Sequence, residues 1–95
     1  MGLFVLTCID HADAMERRLE ARPAHLDYVR ANAHLVKLAG PLLNDGGEMT
    51  GSLFIMEARS AAEIEAFVAG DPYGLANVFE SAEIRGFKVS VGALA

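Results

Sequence analysis

Two short apolar runs, Leu3–Ile9 and Gly51–Ala58, restrict the possible folds of this sequence more than any other feature. In both runs, the residues of each alternating face are mostly large and apolar. Successive side chains of a strand point to opposite sides, so a run of this kind must be covered on both sides. We therefore predict that these runs form the two central strands of a sheet.

Two further segments, Leu35–Leu43 and Ile84–Val91, are predicted to be edge strands. Pro41 lies inside the first of them and has no N–H to donate to a neighbouring strand. The second alternates apolar with polar residues, a pattern typical of a strand with one solvated face. The turn-forming residues Asn44, Asp45, Gly46 and Gly47 predict a hairpin between the second and third strands.

The first helix is predicted to follow Asp13, which has the spacing of a capping box with Glu16. Pro23 interrupts the helical pattern, because proline removes one backbone hydrogen bond and clashes with the preceding turn. Two alternatives follow. Either one helix is kinked near Glu20–Arg22, or a second helix begins with Pro23 in its first turn.

A second capping box, Ser60 with Glu63, predicts the next helix. Gly70 is predicted to end this helix as the residue just beyond its C-cap. Asp71 and Pro72 then have the pattern of an N-cap followed by proline at the first helical position. They predict a short helical turn before the last strand.

The order strand, helix, strand, strand, helix, strand predicts one α+β domain over residues 1–95. The predicted central and edge strands fit a ferredoxin-like βαββαβ fold, a four-stranded antiparallel sheet of order 4-1-3-2. Its two helices can cover only one face of the sheet. The other face would remain apolar, which is unusual for a monomer, so we predict a homodimer paired through this face.

Composition excludes several classes of partner. The formal charge is −5 and the only basic pair, Arg17-Arg18, lies between Glu16 and Glu20, so we expect no nucleic acid partner and interpret the pair as a solvated helix face. No apolar run is long enough to span a membrane. The single cysteine, Cys8, favours a buried thiol and a reducing compartment, hence the cytoplasm.

Candidate chemistry rests on His25 and Asp71. Histidine titrates near neutral pH, and a carboxylate bonded to one ring nitrogen would leave the other available as a base. Each residue also has a structural interpretation, since His25 follows a helix irregularity and Asp71 is a natural N-cap. The remaining histidines, His11 and His34, are expected to be exposed, and the dispersed histidines with one cysteine predict no metal site.

Four short motifs occur in order along nearly the whole chain: Arg22-x-x-His25-Leu26, Ala39-Gly40-Pro41, Thr50-Gly51-Ser52 and Asp71-Pro72-Tyr73. Together they resemble the YciI-like (YCII-related) family of the dimeric α/β-barrel group of ferredoxin-like proteins. The resemblance implies a homodimer and an active-site histidine–aspartate pair, here His25 and Asp71. One described activity in this family is a dehydrochlorinase acting on a chlorinated hydroxyquinol, and muconolactone isomerase is a more distant structural relative. The departures from the family pattern are Pro23 inside the first motif and Asn77, in a segment after Tyr73 that often carries glycine in the family.

Other residues of these motifs are candidates for substrate binding. Arg22 has a planar fork suited to a carboxylate, although a surface ion pair is equally consistent with its position. Ser52 could donate to a substrate oxygen or have only a structural role at the start of its strand, and Tyr73 could line the pocket with its ring and hydroxyl or simply pack in the core. Gly40 and Pro41 would shape the backbone of the pocket.

Three functions are compatible with this sequence. The first is a small enzyme without a cofactor, of the lyase or isomerase type, acting by acid–base chemistry on a small, often ring-derived organic acid. In this hypothesis His25 is the general base or acid, and Asp71 orients it. The alternative is a non-catalytic small-ligand-binding or regulatory module. A haem-dependent or cofactor-free oxygenase is the third, but the sequence singles out neither an axial ligand nor a roomy haem cavity.

Overall fold

A computed structural model describes residues 1–94 of the chain. Its elements follow the predicted order, including the short helical turn predicted before the last strand. They are β1 (Gly2–Asp10), α1 (Met15–Ala31), β2 (Val36–Leu43), β3 (Met49–Ala58), α2 (Ala61–Gly70), α3 (Pro72–Leu75) and β4 (Phe79–Phe87). No helix in this part of the chain combines the length and the apolar character needed to cross a membrane.

The four strands form one antiparallel sheet of order β2-β3-β1-β4. The two strands with two apolar faces, β1 and β3, are central, and β2 and β4 are the edges. This confirms the predicted ferredoxin-like fold and its strand order. The proline in β2 is compatible with the ladder because an edge strand bonds to a neighbour on one side only.

The helices cover one face of the sheet, and the main core lies between them. Leu6, Phe54 and Met56 point from the central strands into this core and are buried against Ile64 and Phe67 of α2. At about 25 cal/mol per Å² of apolar surface removed from water, these contacts are the main source of the fold's stability.

The residues of opposite parity form what we call the open face of the sheet. Val5 and Ile55 pair across the two central strands on this face, and Leu38 pairs with Ile55 from the edge. At its two edges, Leu38 and Phe87 leave 57% and 42% of their surface exposed. No helix within residues 1–94 covers this face.

The predicted start of α1 is wrong. Ala14, not Asp13, is the N-cap, and no side chain caps the helix. Ala14 is buried in a small cluster with Tyr73 and Val78, which sets the helix start one residue later. Of the two alternatives for Pro23, the structure agrees with a single helix, because one α-helix runs from Met15 to Ala31 through Pro23 and no second helix starts there.

The second capping box is also wrong in detail. Ser60 is the N-cap of α2 but makes no side-chain capping bond, and the Glu63 Oε1 atom accepts from the backbone N–H of Arg59 at 2.9 Å. Gly70 is the last residue of α2, not the residue beyond its cap. Glycine is needed there for space, because a Cβ would lie 2.8 Å from the Tyr28 hydroxyl oxygen.

The last strand begins at Phe79 and ends at Phe87, earlier than the predicted Ile84–Val91. Its position at the edge is as predicted. Asn77 adopts a left-handed conformation with φ of 57° and turns the chain from α3 into the strand. Asparagine tolerates this left-handed conformation better than most residues.

Cys8 is a fully buried thiol on the helix-covered face. Burial, followed by the nearby charges of Asp71 and Asp10, raises its pKa from 9.0 to about 12. The unfolded chain therefore releases the thiol proton at a lower pH than the folded chain does. When the pH lies between these two pKa values, unfolding releases the thiol proton. The free energy of unfolding should therefore fall as the pH rises from the lower pKa to the higher one.

We expect this fall to be about 1 kcal/mol per pH unit above the ordinary pKa of the thiol. The measurement is urea denaturation of the wild-type protein and of Cys8→Ala at about pH 8 and about pH 10.5. Only the wild-type protein has a thiol at position 8, so only its stability should include the contribution of this proton. Equal losses of stability in the two proteins would contradict the expectation.

Candidate active site

His25 and Asp71 meet beneath the helices. His25 lies on α1 and Asp71 at the junction of α2 and α3, and the His25 Nδ1 atom is 2.8 Å from the Asp71 Oδ1 atom. Both residues are buried, with exposed fractions of 7% and 1%. The pair that the motifs indicated is thus in direct contact, 46 residues apart in sequence.

Asp71 also has the structural role that its sequence context predicted. Its Oδ1 atom accepts from the backbone N–H of Tyr73 at 2.9 Å and so caps α3, with Pro72 at the start of the helix. An ionised carboxylate only accepts hydrogen bonds, so its contact with Nδ1 requires the proton on that nitrogen of a neutral His25. The Nε2 atom of such a ring is the one with a lone pair for chemistry.

The Tyr73 ring lies between His25 and Arg18. It stacks on the imidazole with 3.8 Å between ring centroids and 16° between planes, and the guanidinium carbon of Arg18 is 4.4 Å from the Tyr73 centroid. Burial raises the pKa of the Tyr73 hydroxyl, although the charges of Arg18 and Arg22 oppose this. Tyr73 is therefore a neutral phenol at neutral pH, and it links the histidine to a cation.

The interpretation of Arg18 as part of a solvated helix face is wrong. Arg18 is only 1% exposed, and its Nε and Nη2 atoms donate to the two carboxylate oxygens of Asp10 at 2.7 and 3.1 Å. Nη2 also donates to the Ser52 Oγ atom at 2.8 Å. Burial works to lower the pKa of Arg18, but the contacts with Asp10 raise it on balance, so the guanidinium stays charged.

A signal for Arg18 was present in the sequence. Arg18, Arg22 and His25 are spaced four and three residues apart, which places them on one face of a helix. Asp10 follows the first central strand directly, where a carboxylate needs a partner if it is buried. Asp10 and Arg18 are the two functional candidates that our sequence analysis missed.

A cavity of ≈150 Å³ lies beside this group of residues. Its wall includes six of the residues singled out in the sequence: Arg22, His25, Gly40, Pro41, Ser52 and Tyr73. Arg18, Met49 and Phe54 also line this cavity. Asp71 is not among the lining residues and lies behind His25.

Hydrogen-bond donors dominate the polar part of this wall. The Ser52 hydroxyl accepts from Arg18, which has no acceptor atoms, so its own hydrogen is available for another partner. Arg22 adds a positive charge that is half-buried and lines the same cavity. The site is therefore suited to an oxygen-rich, negatively charged ligand.

Metal-ligating residues do not cluster here. Within residues 1–94, no group of three histidine, cysteine, aspartate or glutamate side chains has an arrangement that could hold a metal ion. His34 is exposed as predicted, whereas His11 is partly buried.

Comparisons with known proteins bear on the family of this chain. The sequence model of the YCII-related domain matches residues 2–88. Protein YciI of Escherichia coli O6:H1 is 37% identical over 94 residues, covering 90% of this chain and 96% of the relative. Protein YciI of Shigella flexneri matches with the same identity and coverage.

Solved structures give the same picture. The 5-chloro-2-hydroxyhydroquinone dehydrochlorinase of Burkholderia phenoliruptrix AC1100, in complex with 2,5-dihydroxybenzoquinone, has a TM-score of 0.82 and 32% identity over 90% of this chain and 93% of that chain. An antibiotic biosynthesis monooxygenase has a TM-score of 0.57 but only 12% identity, over 96% of this chain and 100% of that chain, and shares the fold alone. On the evidence of the family match and the identity to its members, the chain belongs to the YCII-related (YciI-like) family.

Proposed function

We propose that the protein is a cofactor-independent enzyme that moves a proton on a small organic acid, in a reaction of the lyase or isomerase type. The observation that carries the proposal is the bond between His25 and Asp71 beside a cavity lined with donors. In this proposal Nε2 of His25 takes a proton from the substrate or returns it. Asp71 keeps the ring in the required tautomer and balances the imidazolium that forms.

Arg18 and Ser52 can stabilise the negative charge that develops on the substrate during such a reaction. When a base removes a proton next to a carbonyl group, the electron pair moves onto the carbonyl oxygen. The Ser52 hydroxyl, itself bonded to the charged Arg18, is a donor that can bind this oxygen as its charge grows. Asp10 holds Arg18 in place, and its own bonds are made before the substrate arrives.

The size and charge of the cavity suggest the substrate class. An engineered protein cavity of about 150 Å³ holds benzene, so a single ring is of the right size. Arg22 would bind an acidic substituent of that ring. The dehydrochlorinase relative was solved with 2,5-dihydroxybenzoquinone, a one-ring compound whose hydroxyl groups are acidic because they are conjugated to carbonyls.

Asp71 has a further property that fits a functional role. Its Oδ2 atom is buried, and no described residue bonds to it. Leaving a buried acceptor without a partner costs about 1–3 kcal/mol, and such atoms are rare outside functional sites. This cost supports a role for the carboxylate beyond the capping of α3.

The experiment that tests the proposal uses two compounds named for the relative. Chloride release from 5-chloro-2-hydroxyhydroquinone and deuterium uptake at the ring carbons of 2,5-dihydroxybenzoquinone in D₂O would be followed with and without the protein. Acceleration of either reaction supports an enzyme. Saturable binding of the quinone without acceleration would instead support the alternative, a non-catalytic ligand-binding module.

The open face supports the homodimer. Covering several half-exposed apolar side chains at about 25 cal/mol per Å² favours association by several kcal/mol, and a second copy offers the same apolar surface. Sedimentation equilibrium should give the mass of two chains. The double variant Leu38→Lys/Phe87→Lys should dissociate, whereas Leu75→Lys, at a more exposed leucine on α3, should not. A wild-type monomer at micromolar concentration would contradict the dimer.

A further inference from the structure

A second cavity, of ≈310 Å³, adjoins the first. It is lined at the end of β1 by Asp10, His11 and Ala12, and at the β2–β3 hairpin by Asn44 and Glu48. The proposed reaction uses none of these residues except Asp10, which acts through Arg18. The second cavity therefore has no role in the chemistry proposed above.

Two groups separate the cavities. The first is the Arg18–Asp10 ion pair, with Arg18 lining one cavity and Asp10 the other. The second is Met49, which lines both. The ion pair is buried and held by three hydrogen bonds, whereas Met49 is half-buried and has a flexible, unbranched side chain. Met49 is thus the part of the wall that a substitution can remove without breaking polar contacts.

We propose that Met49 sets the length of the ligand, and that the second cavity is a subsite for an extension of the ring. The inference rests on the proposed function, because it takes the first cavity as the place where the reacting ring binds. A one-ring acid fits on the near side of Met49. A ligand with a fused second ring, or with a short chain, must displace the methionine to enter the second cavity.

The polar lining of the second cavity indicates which extensions it accepts. Glu48 is an acceptor, and Asn44 adds an amide at the same hairpin. An extension that carries hydroxyl or amino groups would find the Glu48 carboxylate as an acceptor, whereas a second carboxylate would be repelled by the charge of Glu48. The ligand class is therefore a ring acid with its negative group at Arg22 and a neutral or donor-bearing extension past Met49.

The test compares two hydroxyquinones that each carry one acidic hydroxyl and differ by one fused ring, 2-hydroxy-1,4-benzoquinone and 2-hydroxy-1,4-naphthoquinone. We expect wild-type protein to bind the two-ring compound at least about tenfold more weakly than the one-ring compound. Relative to the one-ring compound, Met49→Ala should tighten binding of the two-ring compound by about tenfold or more. Isothermal titration calorimetry measures all four dissociation constants.

Two further variants test whether the tighter binding of the two-ring compound comes from the second cavity. Leu26→Ala removes a side chain from the first cavity but not from its border with the second, and it should give no gain for the two-ring compound. Ala12→Phe, added to Met49→Ala, introduces a large side chain at a residue that lines the second cavity and should cancel the gain. A gain that survives Ala12→Phe, or that Leu26→Ala matches, would overturn the subsite.

The outcomes separate this inference from the proposed function. One outcome is that wild-type protein binds the one-ring quinone while Met49→Ala does not bind the two-ring quinone more tightly. In that case Met49 does not limit the length of the ligand, and the reaction proposal stands. If wild-type protein binds neither quinone, the reaction proposal fails, and this inference fails with it.

Discussion

Replacing His25 with Gln or Asp71 with Asn is expected to slow proton transfer by about 10²–10⁴-fold, the usual contribution of a positioned acid–base group. The Asp71→Asn variant separates the two roles of this residue. Asparagine is as good an N-cap as aspartate, so α3 should keep its cap while the negative charge beside His25 is lost. A loss of rate in a folded Asp71→Asn protein would therefore report the charge.

Two measurements distinguish a role of His25 and Asp71 in proton transfer from a disruption of the structure of the site. In ¹⁵N NMR spectra of neutral His25, the wild-type protein should show the proton on Nδ1, and Asp71→Asn should show both tautomers, because an amide can donate as well as accept. Binding of 2,5-dihydroxybenzoquinone should change by less than about threefold in both variants, since neither removes a donor facing the substrate oxygen. Unchanged rates would remove His25 and Asp71 from the mechanism.

The second large effect concerns stability. Arg18→Met is expected to lower the free energy of unfolding by about 3–5 kcal/mol, because it leaves the Asp10 carboxylate buried without its partner. The Asp10 side chain is only 5% exposed in this pair and has little access to water. Arg18 is thus expected to support both the oxygen-binding group and the fold.

Arg17→Met is the matched control, one residue away on the same helix. The Arg17 side chain is 35% exposed, lies 3.5 Å from an exposed Asp13 and donates to the Asn77 carbonyl oxygen, so we expect a loss of only about 1 kcal/mol. Urea denaturation at one protein concentration gives both values. The double variant Asp10→Asn/Arg18→Met should recover part of the loss, because it removes the buried charge. Equal losses of stability in Arg17→Met and Arg18→Met would show that the buried ion pair stabilises the fold no more than the exposed one does.

The strand order could be predicted because it depends on a local pattern. Leu3–Ile9 and Gly51–Ala58 are apolar on both faces, and only a central strand can bury both. Pro41 excluded a central position for the second strand on the same chemical ground. The candidate pair His25 and Asp71 was also found in advance, but by resemblance of motifs, since spacing alone does not show that two side chains meet.

Arg18 shows what a local pattern cannot supply. Glu16-Arg17-Arg18-Leu19-Glu20 looks the same whether a given arginine faces water or a cavity, because helical spacing fixes which residues share a face but not the direction of that face. The rotation of α1 against the sheet decides it, and that rotation depends on Asp10 and Ser52, which lie 8 and 34 residues from Arg18.

The ends of elements depended on the tertiary structure for a similar reason. The start of β4 follows from the left-handed Asn77, and glycine at position 70 follows from the approach of Tyr28, a residue of another helix. The sequence by itself thus determined which segments are strands, which of them are central and which residues are chemically suitable. Only the packing of α1 and α3 over the sheet decided which charged groups are buried together, because the energy of a buried charge depends on neighbours that are distant in the chain.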